Sequence, residues 1–113
     1  MTQGEVTVTD ADRFGARVDG GPRVTTVHLR GEVDIAVENA LREAIDDALE
    51  CAGRAVVIDL TDVAFLDSTG VQALLAAQAA AEAGRCRLVL RLGPPAERVL
   101  DLCGILPRFA VLR

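Results

Sequence analysis

The sequence predicts an α/β domain on a mixed β-sheet, an N-terminal antiparallel hairpin followed by β-α repeats. Three observations predict it. Two alternating apolar runs, around residues 14–18 and 24–30, are separated by the turn residues Asp19-Gly20-Gly21-Pro22. Residues 36–50 carry the apolar stripe of an amphipathic helix. Beyond them, helical patterns alternate with short apolar runs, which right-handed crossovers lay down as parallel strands.

Residues 1–12 alternate weakly through Val6 and Val8, as an edge strand or a flexible arm would. In the hairpin, Thr25, Val27 and Leu29 share one face, and Thr26, His28 and Arg30 the other. Gly31-Glu32-Val33-Asp34 ends that strand. In the helix that follows, Val37, Ala40, Leu41, Ala44, Ile45, Ala48 and Leu49 form the buried stripe, and Gly53 stands where a C-cap glycine belongs. Ala55 to Ile58 is a continuous apolar run of the kind buried on both faces in interior parallel strands, so Val57, Ile58 and Leu60 are expected inside. Residues 59–66 read as a loop with apolar anchors, with Asp59 and Asp62 flanking a turn. A second helix over about 69–83 buries Val71, Leu74, Leu75 and Ala79, and Gly84 closes it. Cys86 to Leu92 reads as a strand. Pro94-Pro95 opens a third helix carrying Ala96, Val99, Leu100 and Cys103. Gly104 ends it, and 108–112 form a last short strand.

Composition narrows the function classes. The chain has 113 residues, the size of one domain with one core. A formal charge of −5, with three Phe and neither Tyr nor Trp, argues against direct nucleic-acid binding. All twelve basic residues are Arg, so no lysine is present for Schiff-base or phosphate-loop chemistry. Cys51, Cys86 and Cys103 are scattered, odd in number and without a C-x-x-C pair, which speaks for reduced thiols in or beside the core rather than disulfides or zinc. The first twenty residues are acidic and polar, and apolar runs are too short to span a bilayer, so the expected compartment is the cytoplasm without membrane insertion.

Asp67-Ser68-Thr69-Gly70 is the sharpest local feature, placed where a loop turns into a helix. Asp and Ser are strong helix caps, and a cap alone explains them. The same place also suits a phosphorylation switch: a phosphate on Ser68 would meet the helix N-terminus, while Asp67 would repel it. A catalytic Ser68 is disfavoured, because the first glycine of a nucleophile elbow is missing. The single His28 is a mid-strand residue and reads as structural or solvent-facing. Asp34 ends a strand as Asp67 precedes a helix, and parallel topology puts both where α/β sites gather; a cap for the first helix explains Asp34 equally well. No metal-ligand cluster, cofactor loop or catalytic set is found, so the reading is non-enzymatic, without cofactor.

Three segments in order resemble the STAS domain family, named for sulfate transporters and anti-sigma-factor antagonists. Leu29-Arg30-Gly31-Glu32-Val33-Asp34 resembles the family's L-x-G-E-L-D. Val57 to Thr61, then Val63, Phe65 and Leu66-Asp67-Ser68-Thr69-Gly70, resembles V-x-L-D-L-x-x-V-x-F-x-D-S-S/T-G. Pro95-Ala96 through Leu102-Cys103-Gly104-Ile105-Leu106 resembles P-x-V-x-R-x-L-x-x-x-G-L. Pro94 departs from the Ser or Asn cap of many relatives. The resemblance covers residues 24–113 and implies a single STAS domain over 1–113, with helices mainly on one face of the sheet. It implies that Ser68 matches a serine phosphorylated by a cognate anti-sigma factor, itself an ATP-dependent kinase. Asp34, Asp67, Ser68, Thr69 and Gly70 would form the partner-binding surface. The unphosphorylated antagonist would bind the anti-sigma factor and release sigma, phosphorylation would switch binding off, and a phosphatase would restore it. The alternative is a cytoplasmic STAS subunit of a membrane lipid or anion transporter, which needs no phosphoserine.

Overall fold

A computed structural model describes residues 6–10, 13–51 and 55–112, with the backbone alone at 6–10 and 51. Six strands form one sheet in sequential order: β1 (Val6–Asp10), β2 (Phe14–Gly20), β3 (Val24–Val33), β4 (Ala55–Leu66), β5 (Arg87–Leu92) and β6 (Ala110–Leu112). The first two pairings are antiparallel and the other three parallel. A 3-10 turn, Ile35–Val37, leads into α1 (Glu38–Cys51); α2 is Ser68–Ala83 and α3 Pro94–Leu102. Each helix crosses between neighbouring parallel strands, so crossovers of one hand bring the helices to one side. Accordingly α1 packs on β2 and β3, α2 on α1 and β5, and α3 on β4.

One contiguous apolar cluster joins the layers. Phe14, Val27, Leu41, Ile58, Leu60, Leu74, Leu90 and Leu100 are fully buried in it. Along β3, Thr25, Val27 and Leu29 face this core, as the alternation predicts. The β4 expectation needs correction. Val56, Ile58 and Leu60 are buried, but Val57 is half-buried. It lies on the uncovered sheet face, between Thr26 and Val89 in the ladder, so those two strand neighbours flank it instead of a second helical layer.

The loop expected at residues 59–66 is strand. β4 runs on to Leu66 through two register shifts against β3, and each places two exposed residues in succession, Thr61-Asp62 and Ala64-Phe65. Such bulges break the period of two that marks a strand. Asp59 and Asp62 therefore lie within β4 instead of flanking a turn. In α2 the buried face uses Val71, Ala73, Leu74, Ala77 and Ala81; Leu75 is half-buried and Ala79 exposed. Leu49 of α1 is likewise half-buried. Cys103 caps the end of α3 and is exposed, while Cys86 is half-buried against the core. Residues 6–10 are the edge strand; the rest of 1–12 and the C-cap expected at Gly53 lie outside the described residues.

Candidate functional site

The site sits at the carboxyl ends of β3 and β4. Parallel pairing carries Val33 alongside Leu66, and the Asp67 N–H donates to the Val33 carbonyl at 3.2 Å. That bond sets Asp34 and Ser68 on adjoining strand ends, although 32 residues of chain lie between Val33 and Leu66.

Asp67 is the N-cap of α2. Its backbone is extended, and its carboxylate accepts from the Thr69 N–H at 2.9 Å and the Gly70 N–H at 3.4 Å. Ser68 is therefore the first helical residue and not the cap. It is exposed, and among the described residues no side chain bonds its hydroxyl. The cap also changes the electrostatic expectation. The two N–H groups that would receive a phosphate on Ser68 already bind a carboxylate, so the helix end offers such a phosphate little and Asp67 repels it. Thr69 is half-buried and Gly70 buried. A methyl group at Gly70 would fall on Leu66 Cδ1 and lie 3.0 Å from Val33 Cγ1. Glycine lets the first turn of α2 close onto both strand ends, which holds Ser68 in place.

Asp34 caps the 3-10 turn, accepting from the Ala36 N–H at 3.0 Å. Its second oxygen pairs with Arg13 Nη2 at 2.7 Å, and Arg13 Nε reaches Glu32 Oε1 at 3.2 Å. Gly31, at φ +88, makes this possible: any Cβ there would strike the Arg13 carbonyl, which accepts from the Glu32 N–H at 2.7 Å. Arg13 belongs to the site and escaped the sequence reading, because its partners stand 19 and 21 residues away with no local pattern to link them. Ile35 also escaped it, and Phe65 stands there only as a motif residue and not as part of the site. Both project at this end, 72% and 50% exposed.

His28 is not part of the site. It lies mid-strand on the uncovered face, with Nδ1 3.3 Å from Asp59 and Nε2 3.9 Å from Asp19. Burial raises the Asp59 pKa, but bonds from the Thr61 N–H and hydroxyl, together with His28, outweigh it and hold the carboxyl below its usual range. A groove of about 330 Å³ on the same face is lined by Arg17, His28, Arg30 and Asp62, away from Ser68. Among the described residues no group of three ligating side chains converges on a metal position, and no helix is long and apolar enough to cross a membrane.

The family model described as "Mlab, STAS domain" matches residues 16–105. The chain belongs to the STAS domain family. The anti-sigma-F factor antagonist RsfB of Mycobacterium tuberculosis is 38% identical over 71 residues, covering 63% of this chain and 52% of that protein. The chain thus spans about half the length of the curated relatives it matches. A crystal structure of an anti-sigma factor antagonist from Mycobacterium paratuberculosis superposes with TM-score 0.72 at 28% identity, over 92% of this chain and 89% of that one. The unphosphorylated form of the antagonist SpoIIAA superposes with TM-score 0.71 at 22% identity, over 87% and 88% of the two chains, a likeness of fold. This STAS domain has the expected architecture, a mixed sheet with its helices mainly on one face.

Proposed function

We propose that this STAS domain is an anti-sigma-factor antagonist switched at Ser68. The unphosphorylated form binds a cognate anti-sigma factor, an ATP-dependent serine kinase, through a surface formed by Asp34, Asp67, Ser68, Thr69 and Gly70, and this binding releases the sigma factor. In the reverse step, Ser68 Oγ takes the γ-phosphoryl group of ATP, ADP departs and the hydroxyl proton goes to solvent or a kinase base. A phosphatase removes the phosphate. The domain contributes a binding surface rather than catalysis, needs no cofactor and works in the cytoplasm.

One observation carries this reading: Ser68 is exposed at the first position of α2 while its neighbour Asp67 supplies the cap. The hydroxyl can therefore be modified without removing the interaction that starts the helix. An added charge of about −1.5 to −2 would then stand beside a carboxylate already holding the nearby donors. The names of the relatives, anti-sigma factor antagonists, support the same reading. The test is incubation with ATP and candidate ATP-using anti-sigma factors of the same organism, followed by mass spectrometry. Phosphate is expected on Ser68, with none incorporated by Ser68→Ala. Phosphate on Thr69 alone would overturn the assignment to Ser68, and no phosphate at all would favour the transporter-subunit alternative.

A further inference from the structure

Two large apolar side chains are exposed within two residues of the joined strand ends from which α2 and Ser68 start. Phe65 precedes Asp67 by two residues and is 50% exposed; Ile35 follows Val33 by two and is 72% exposed. The bond from the Asp67 N–H to the Val33 carbonyl ties their backbones to the same spot. The exposure of Phe65 comes from a register shift. Gly31 pairs with Val63, yet Glu32 pairs with Phe65, so Ala64 is the extra residue of a bulge. The bulge returns Leu66 to the core, 4% exposed, and turns Phe65 outward. Bulges of this kind re-aim side chains beside functional sites. Ile35 is likewise directed out by the 3-10 turn, which buries Val37 instead.

Around this pair the surface is acidic. Glu32, Asp34, Glu38 and Asp67 face outward or lie half-buried, against the guanidinium groups of Arg13 and Arg42, which are already engaged by Glu32, Asp34 and Glu38. Apolar anchors inside a charged rim are the usual anatomy of a protein–protein contact, and aromatic anchors carry much of its affinity.

We infer that Ile35 and Phe65 are the apolar anchors by which the kinase that modifies Ser68 grips this domain, seated in an apolar pocket of that kinase with a basic rim. This rests on the switch reading above and adds what it leaves open, the groups that supply affinity. The acidic rim selects the chemistry of the occupant: a pocket edged by Arg or Lys matches it, and an acidic or wholly apolar surface does not. Because neither anchor touches the hydroxyl that reacts, both contribute equally to the ground state and the transition state of phosphoryl transfer.

The experiment uses the full chain and the purified anti-sigma kinase that phosphorylates Ser68 in the test above. Ile35→Ala and Phe65→Ala, each checked by circular dichroism, are expected to weaken binding about tenfold or more. They should also raise the KM for Ser68 phosphorylation by a similar factor with kcat nearly unchanged. Affinity of the wild type should fall as salt rises. Phe65→Leu, which keeps an apolar side chain, should recover much of the loss. Wild-type affinity and KM in both alanine variants, alongside normal phosphorylation of Ser68, would overturn the anchors and leave the switch standing. Absence of both binding and phosphorylation in the wild type would instead remove the switch reading and the anchors with it. A fall in kcat with KM unchanged, or affinity that rises with salt, also contradicts the inference.

Discussion

At the end of β3, Asp34 turns the chain into the 3-10 turn before α1; at the end of the neighbouring β4, Asp67 turns it into α2. Both aspartates are extended, and both accept the N–H two residues on, at 3.0 and 2.9 Å. What surrounds them differs. Asp34 is also held by Arg13 and is followed by Ile35, and its turn is only three residues long. Asp67 accepts a second helical N–H, is followed by Ser68, and begins a 16-residue helix pressed against both strands by Gly70. The same capping chemistry thus anchors an exposed apolar side chain at one start and an exposed hydroxyl at the other. A residue is open to modification or contact when its neighbour, and not itself, starts the helix.

The comparison breaks most readily at Gly70. Gly70→Ala would push a methyl group into the buried Leu66 and Val33 side chains. Overpacking costs about 1–3 kcal/mol, more than the gain of up to about 1 kcal/mol from helix propensity. Urea denaturation should show a net loss of stability, and amide exchange should show a looser first turn of α2. An unchanged midpoint would mean the close approach does not hold Ser68. A smaller effect separates the two caps. Asp67→Ala removes two bonds from a long helix and should cost about 1–2 kcal/mol. Asp34→Ala removes one bond to a short turn and a partly exposed ion pair, at about 0.5–1 kcal/mol. The reverse order in denaturation midpoints would show that the Arg13 pair, and not cap geometry, dominates this end of the sheet.

Much of this was legible in the sequence where one period ran undisturbed. Thr25, Val27 and Leu29 alternate cleanly, and the apolar stripe of α1 has charged residues opposite it, so the sequence shows both elements with their buried faces. The second half of β4 was not, because each bulge sets two exposed residues side by side and the pattern resembles a loop. The buried face of α2 was partly misread since alanines stand on all sides of it; Ala77 and Ala81 are buried, Ala79 is not. Within the site, Asp67-Ser68-Thr69-Gly70 is contiguous and announces a helix start. Sequence alone does not say which residue caps, for Asp and Ser share the same propensity. Arg13 was invisible, since its link to Asp34 exists only once β2 and β3 have paired.

Calorimetric titration of the proposed partner, an anti-sigma kinase, with wild type, Ser68→Ala and Ser68→Asp tests the proposed switch most directly. Because Asp67 is the cap, Ser68→Ala should alter stability by no more than about 0.5 kcal/mol and bind as the wild type does. Ser68→Asp should remain folded yet bind more than about a hundredfold more weakly, a loss of at least roughly 3 kcal/mol from a charge beside Asp67 in a desolvated contact. Equal affinity for all three folded proteins would contradict the account.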